Sequence, residues 1–161
     1  MIEFTFYKPE HIDTTVEIFE ELSQFYLQEN ASNKDVIRKN LLTNILSEKS
    51  GVKLILALSE NNAVALATIS LMYPAPKETG LLFIKELFVF PRFQRTGVGE
   101  KLFKYIAKYA VDNGCSRLDW CADSDNEMAV SFYSKLGFEP LESKLYFRAS
   151  GKHLQNIAAK T

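Results

Sequence analysis

The stretch FVFPRFQRTGVGEKLF, Phe88 to Phe103, changes character twice. It begins as an apolar strand, meets Pro91 with Arg92, Gln94 and Arg95 close behind, passes Gly97 and Gly99, and resumes as a helix. Glycine lets a backbone approach a ligand closely, and the first N–H groups of a helix have no partner within it. A strand, a glycine turn and a helix start therefore make a place where main chain binds an anion, phosphate above all. The rest of the sequence must say which phosphate.

Upstream, GLLFIKELFVF (Gly80–Phe90) reads as one strand. VKLILALS and AVALATISLMY read as two more, joined by a hairpin turn at Glu60-Asn61-Asn62, and a loop from Pro74 to Gly80 precedes the third. At the start, IEFTFY (Ile2–Tyr7) alternates apolar and polar positions and ends at Lys8-Pro9. From Glu10, the residues Ile12, Val16, Ile18, Phe19, Leu22, Phe25 and Tyr26 recur at helical spacing, and a second helical segment spans Asp35 to Leu46. Downstream, a helix runs from Gly97 to Val111 and stops at Asn113-Gly114, SRLDWCA is a strand, and Asn126 to Leu136 is a helix closed by Gly137. KLYFRAS (Lys144–Ser150) is the last expected strand, and Ser150 is placed to cap a short helix through Ala159. This order implies a mixed α/β sheet, antiparallel in its first part and with a crossover in its second.

With 161 residues and 47% hydrophobic content, the chain can bury one core, so a single domain over residues 1–161 is expected. The net charge of -1, from 19 basic and 20 acidic residues, gives no electrostatic footprint for nucleic acid. No apolar run reaches the roughly 20 residues that span a bilayer, and the opening MIEFTFYKPEHID lacks the pattern of a signal peptide, so a cytosolic protein is expected. Cys115 and Cys121 form no metal-ligand pattern with His11 or His153; they read as reduced, structural thiols, and no metal is expected.

Competing motifs fail on spacing. The P-loop pattern G-x-x-x-x-G-K-[ST] is absent. The dinucleotide pattern G-x-G-x-x-G is half present: Gly97 and Gly99 fit, but Leu102 stands where the third glycine belongs. Asp119 lies about 20 residues on, where a ribose-binding acid would stand, yet several strands precede the turn and too little chain follows for a doubly wound fold. In DSDNE, Met128 occupies the position where a calcium loop needs glycine. Asp123 and Asp125, with Glu20, Glu21 and Glu29, read either as an attraction for a cationic amine or as a solvated face. No histidine near a serine or cysteine makes a readable nucleophile triad.

QRTGVG (Gln94–Gly99) resembles the Q/R-x-x-G-x-G/A signature of the GNAT superfamily of acyl-CoA-dependent N-acetyltransferases, between the fourth strand and the following helix. The likeness extends through KELFVFPRFQRTGVGEKLF and GCSRLDWCADSDNEMAVSFYSKLGFEPL, with Asn126, Tyr133 and the FY-x-x-x-GF ending. More narrowly, ELFVFP, RLDW and N-E-x-A-x-x-FY are similar to the diamine and thialysine acetyltransferase subgroup. Residues from about 80 to 148 carry this likeness; the first half agrees in element order.

The resemblance implies a GNAT fold: a mixed, mostly antiparallel central sheet of about seven strands flanked by helices, with the fourth and fifth strands splayed. It implies acetyl-CoA as co-substrate. The cofactor would meet Gln94, Arg95, Thr96, Gly97, Val98, Gly99 and Glu100 at the turn, with Arg95 favoured over Arg92, the backbone of Leu87, Phe88 and Val89 along the fourth strand, and Asn126 and Ala129 at the next helix. Tyr133 would protonate the departing thiolate, which suits a phenol of reference pKa about 10. Its plainer role is packing beside Phe132. Glu86 would be the base; the subgroup commonly has two acids there, and this chain has Lys85-Glu86, so a surface charge or salt bridge is the alternative. Asn126 can equally be a helix cap alone. The reading is an N-acetyltransferase acting on a small polyamine, diamine or lysine-like amine. The alternatives are protein or peptide amines as acceptors, or a non-catalytic acyl-CoA-binding sensor. A homodimer is expected, with Phe138, Tyr146 and Phe147 available for an interface.

Overall fold

The near-continuous apolar runs of the three central strands leave apolar side chains on both faces of the sheet, which calls for helices on both faces. The computed structural model describes residues 1–159 and divides into two compact units, the first Met1–Cys121 and the second beginning at Ala122. In the first unit the elements run β1 (Ile2–Phe6), α1 (Ile12–Leu27), α2 (Lys34–Asn40), β2 (Val52–Ser59), β3 (Asn62–Ala75), β4 (Thr79–Val89), α3 (Val98–Asp112) and β5 (Cys115–Trp120). The sheet has the order β1-β2-β3-β4-β5; its first three pairings are antiparallel, and β4 pairs with β5 in parallel through the α3 crossover.

Among the described residues the sheet has five strands, not about seven. KLYFRAS, expected as a last strand, is not one among the described residues. Alternation supplies only a preference, and a strand exists through the ladder it makes with a neighbour. Elsewhere the differences are local. The hairpin loop is two residues, Glu60 and Asn61, both at positive φ, because Ser59 already pairs with Asn62. β3 runs on to Ala75, which pairs with Thr79, so the expected Pro74 to Gly80 loop shrinks to Pro76–Glu78.

Parity along the strands assigns each side chain to a face. Leu54, Leu56, Leu58, Leu66 and Phe88 pack with Ile18 and Leu22 of α1, and Val16 joins Ile37 and Leu41 to hold the α2 segment. The opposite face meets α3: Phe4 stacks on Tyr105 at 5.8 Å, Phe6 meets Tyr109 edge-on at 4.9 Å, and Phe103 meets Trp120 at 5.2 Å. Leu102 and Ile106 of α3 are fully buried there. Each such side chain is worth about 1.5–3 kcal/mol of transfer from water, so the two helix layers supply most of what holds this unit together.

The second unit contains α4 (Glu127–Lys135) and α5 (Gly151–Ala158). Asn126 caps α4, its Oδ1 accepting from the Ala129 N–H at 3.1 Å. At the other end Gly137, at φ 87, lets its own N–H reach Ser134 O and the Phe138 N–H reach Tyr133 O, a Schellman closure. Ser150 does stand at the N-cap of α5, but its side chain makes no capping bond.

Leu66 is fully buried between β2 and β4, under α1. Leu66→Ala is expected to cost about 2–5 kcal/mol of unfolding free energy with an unchanged denaturant slope, read from urea unfolding. A loss below about 1 kcal/mol would show that this layer is not the core.

Candidate functional site

The β4–β5 ladder is short. It runs from Gly80–Cys115 to Ile84–Trp120 and ends there, while β4 continues to Val89. At the same point the β3–β4 register slips, Ile69 facing Ile84 and Thr68 facing Glu86, so Lys85 is an extra residue. Such a bulge increases twist and bends its strand.

Beyond the bulge the edge of β4 is defined by hydrogen-bond alternation. Phe90 N donates to Val64 O at 2.9 Å, which makes Phe90, Phe88 and Glu86 the residues whose backbone groups face β3. Leu87 and Val89 turn theirs the other way, toward the split. Phe88 therefore contributes a buried ring rather than backbone groups to that edge. The Val89 carbonyl is taken by Gln94 Nε2 at 3.1 Å, so Gln94 ties the end of β4 to the turn.

The turn itself is pinned at three points. Gln94 N donates to Pro91 O, Thr96 Oγ1 donates to Phe93 O at 2.5 Å, and Lys101 N makes the first bond of α3, to Gly97 O. The N–H groups of Val98, Gly99 and Glu100 precede that bond and point out of the helix start. Gly97 is at φ 85, and a Cβ built on it would meet nothing within 4 Å. The space in front of the turn is open, and the residues present fit a diphosphate held by backbone donors and the helix dipole. Arg95 is exposed at φ 60 and forms no ion pair among the described residues. Arg92 lies instead over the rings of Phe90 and Phe93, 5.4 and 5.2 Å from their centroids. It lines an open cavity of about 430 Å³ with Glu17, Glu20, Glu21 and Lys34. Glu100, the one acid in the first turn of α3, accepts from Lys104 at 2.6 Å; that bond holds its carboxyl below the usual value and offsets a charge that would repel an anion.

Glu86 lies beside the bulge on the face covered by α1. Its Oε2 accepts from the Tyr26 hydroxyl at 3.3 Å, and Lys85 Nζ is 3.1 Å from its Oε1. Phe25 packs on Phe88 at 6.1 Å, so an aromatic wall flanks this carboxylate. Parity places Asp119 and Arg117 of β5 on the same face, opposite Phe83 and Leu81, and Arg117 Nε is 3.1 Å from Asp119 Oδ2. Tyr26 was not among the candidates read from the sequence, where it counted only as one apolar position of α1. No local signal links residues sixty positions apart.

The sequence-derived residues fall into two groups. Glu86, Leu87 to Val89 and Gln94 to Glu100 are assembled along β4 and its turn, within the first unit. Asn126, Ala129 and Tyr133 share α4 in the second; Asn126 and Ala129 meet in the cap, and Tyr133 is half-buried beside Phe132, ring centroids 5.1 Å apart. Burial pushes the Cys115 thiol up, away from nucleophilic behaviour, and no metal-binding cluster occurs among the described residues.

The sequence pattern of the Acetyltransferase (GNAT) family matches residues 15–138. The chain belongs to the GNAT acetyltransferase family. Among curated proteins, this GNAT chain is 31% identical over 87 residues to a thialysine N-epsilon-acetyltransferase of Mus musculus, covering 49% of this chain and 48% of that protein. It is 29% identical over 85 residues to an L-ornithine N5-acetyltransferase of Arabidopsis thaliana, covering 53% and 37%. It thus spans about half the length of the first of these and less of the second. An integron cassette protein from the mobile metagenome of V. cholerae shares the structure at a TM-score of 0.93 and 34% identity, covering 98% of this chain and 97% of that one. An aminoglycoside acetyltransferase from an uncultured soil metagenomic sample, in complex with sisomicin, shares the fold at a TM-score of 0.74 and 18% identity, over 92% and 95%.

The backbone at Gly97 gives a test that needs no ligand. A side chain at φ 85 is strained even in open space, so Gly97→Val is expected to lose about 1–2 kcal/mol of stability by chemical denaturation. An unchanged stability would mean that the turn relaxes to another conformation.

Proposed function

We propose that the protein is an acetyl-CoA-dependent N-acetyltransferase that moves the acetyl group directly from the thioester to a primary amine. One observation carries this reading: the β4–β5 ladder stops at Ile84 and Trp120, leaving the Leu87 backbone groups and the Val89 N–H on an edge that leads into the glycine turn of α3. A pantetheine arm is an amide chain that can pair with such an edge as an added strand would, and its diphosphate suits the N–H groups at the turn. Membership of the GNAT family supports the same assignment. That match crosses the boundary between the two units, which supports one domain over residues 1–161. Arg95 would add charge to the diphosphate grip, with Thr96 shaping the turn. Asn126 and Ala129 would serve the cofactor through the start of α4.

Acetyl transfer requires the amine to lose a proton, the C–N bond to form, the C–S bond to break and the thiolate to gain a proton. Glu86 takes the first proton, directly or through water, and Tyr133 supplies the last. The acceptor is a small polyamine, diamine or lysine-like amine; the names of the thialysine and ornithine relatives and the carboxylates on the α1 face support an amine of that size. No observation favours protein acceptors or a non-catalytic sensor. A cytosolic homodimer remains part of the proposal on the grounds of the sequence; sedimentation as a monomer at micromolar concentration would remove the dimer.

Thiol release from acetyl-CoA across a panel of primary amines tests the activity, and acetyl-CoA, unlike NAD, is expected to raise the melting temperature by mass action. Tyr133→Phe keeps the ring and removes the hydroxyl, so turnover is expected to fall about a hundred- to ten-thousandfold, with acetyl-CoA affinity little changed. Near-normal turnover in that variant, with chemistry limiting the rate, removes Tyr133 from the mechanism.

A further inference from the structure

Given the acetyl-transfer reading above, Glu86 has to keep one carboxylate oxygen in line with the proton it removes. Its backbone is fixed by pairing with Thr68, and its side chain is largely covered, 23% exposed. Several torsions still separate that backbone from the carboxylate, so a group outside β4 must set its direction. Lys85 is poorly suited to this. It reaches Oε1 at 3.1 Å, but as the extra residue of the bulge it has no cross-strand partner, and its side chain is 74% exposed. An ion pair that exposed contributes little, because two long side chains lose freedom to form it.

Tyr26 is better placed. Its hydroxyl donates to Glu86 Oε2 at 3.3 Å, and its ring meets Phe25 edge-on at 5.2 Å. Phe25 in turn packs at 6.1 Å on Phe88, the next but one residue to Glu86 along β4. The strand therefore supports the helix residue that holds its own carboxylate. A phenol on a rigid ring also loses less freedom than a lysine stem when it is fixed. Just beyond Tyr26 the chain turns back on α1: Gln28 stands at φ 48, ψ -116, its N–H closes the helix on Gln24 O, and Ser32 N donates to Ser23 Oγ at 2.9 Å. A side chain is strained at that φ, and such strain persists only where the surroundings over-determine it. The strained turn pins the last turn of α1, and Tyr26 with it.

We propose that Tyr26 is the positioning residue for the base. Its hydroxyl holds Oε2 and leaves Oε1 to take the proton of the acceptor ammonium, directly or through water, as Lys85 moves aside into solvent. The N–H bond breaks with its electron pair left on nitrogen, and the O–H bond forms on Glu86; Tyr26 exchanges no proton with the substrate.

Single-turnover thiol release from acetyl-CoA reads this step, with the fastest amine of a panel containing L-lysine, L-ornithine and 1,5-diaminopentane, and melting temperatures confirm that each variant is folded. Tyr26→Phe keeps the ring against Phe25 and removes the hydroxyl. Its transfer rate at saturating amine is expected to fall about tenfold or more, with half-saturation by amine changed less than about twofold, because a base out of line loses much of its advantage. Lys85→Met is expected to change the rate less than about twofold. In a Glu86→Gln background the effect of Tyr26→Phe should vanish, since a residue that acts through Glu86 then has no base to position. Losses that multiply in the double variant, a loss confined to half-saturation by amine, a larger loss in Lys85→Met, or near-normal transfer in Tyr26→Phe beside a slow Glu86→Gln each overturn the inference and leave acetyl transfer standing. Full transfer in Glu86→Gln removes the base and the inference together. No thiol release with any amine overturns the transfer reading as well.

Discussion

Everything proposed for this protein depends on a hydrogen-bond ladder that stops early. Strands β4 and β5 are parallel neighbours from Gly80 to Ile84, and the pairing ends beside the extra residue at Lys85. A bulge is locally unfavourable because it leaves ladder groups unpaired, and it persists because the β3 side of β4 resumes its register at once and Phe88 is buried under α1. The outcome is a strand held firmly along one edge with Leu87 and Val89 facing outward on the other. A flexible loop could display the same groups only after losing conformational entropy. Here folding has already fixed them.

The turn that follows works by the same economy. Gln94 closes the end of β4, Thr96 fixes the loop from within, and Gly97 adopts a left-handed conformation so that α3 can start with its N–H groups facing open space. None of this requires a basic protein. Net charge is -1, and the attraction proposed for an anion is local, from oriented backbone dipoles and from Arg95, which forms no ion pair among the described residues, while Lys104 offsets Glu100.

Local pairing also governs the α1 face. Glu20, Glu86 and Asp119 are each matched with a lysine or an arginine, so the field beside them alternates in sign. Electrostatics of that kind selects by pattern more than by total charge. The Tyr26 contact to Glu86 joins the end of α1 to the start of the split, coupling the helix layer to the residue proposed as base.

By itself the sequence determined whatever rests on short-range physics. Alternation in β1, apolar runs between turn signals and helical spacing placed β1 to β5, α1, α3 and α4 within a few residues, Gly97 and Gly99 marked the turn, and Asn126 and Gly137 marked the ends of α4. Only the tertiary structure decided matters of partnership. KLYFRAS alternates like a strand yet is none among the described residues, since a ladder requires a neighbour that alternation cannot supply. The register slip at Lys85 was invisible because it is a relation between β3 and β4, and it alone turns Phe88 toward β3 and Leu87 toward the split. Tyr26 meets Glu86, and Arg117 meets Asp119 on the same face, through the packing of α1 on the sheet and the parallel pairing of β5. Spacing along a chain fixes which face of its own element a residue occupies; which other element lies against that face is set by the long-range packing of the whole unit.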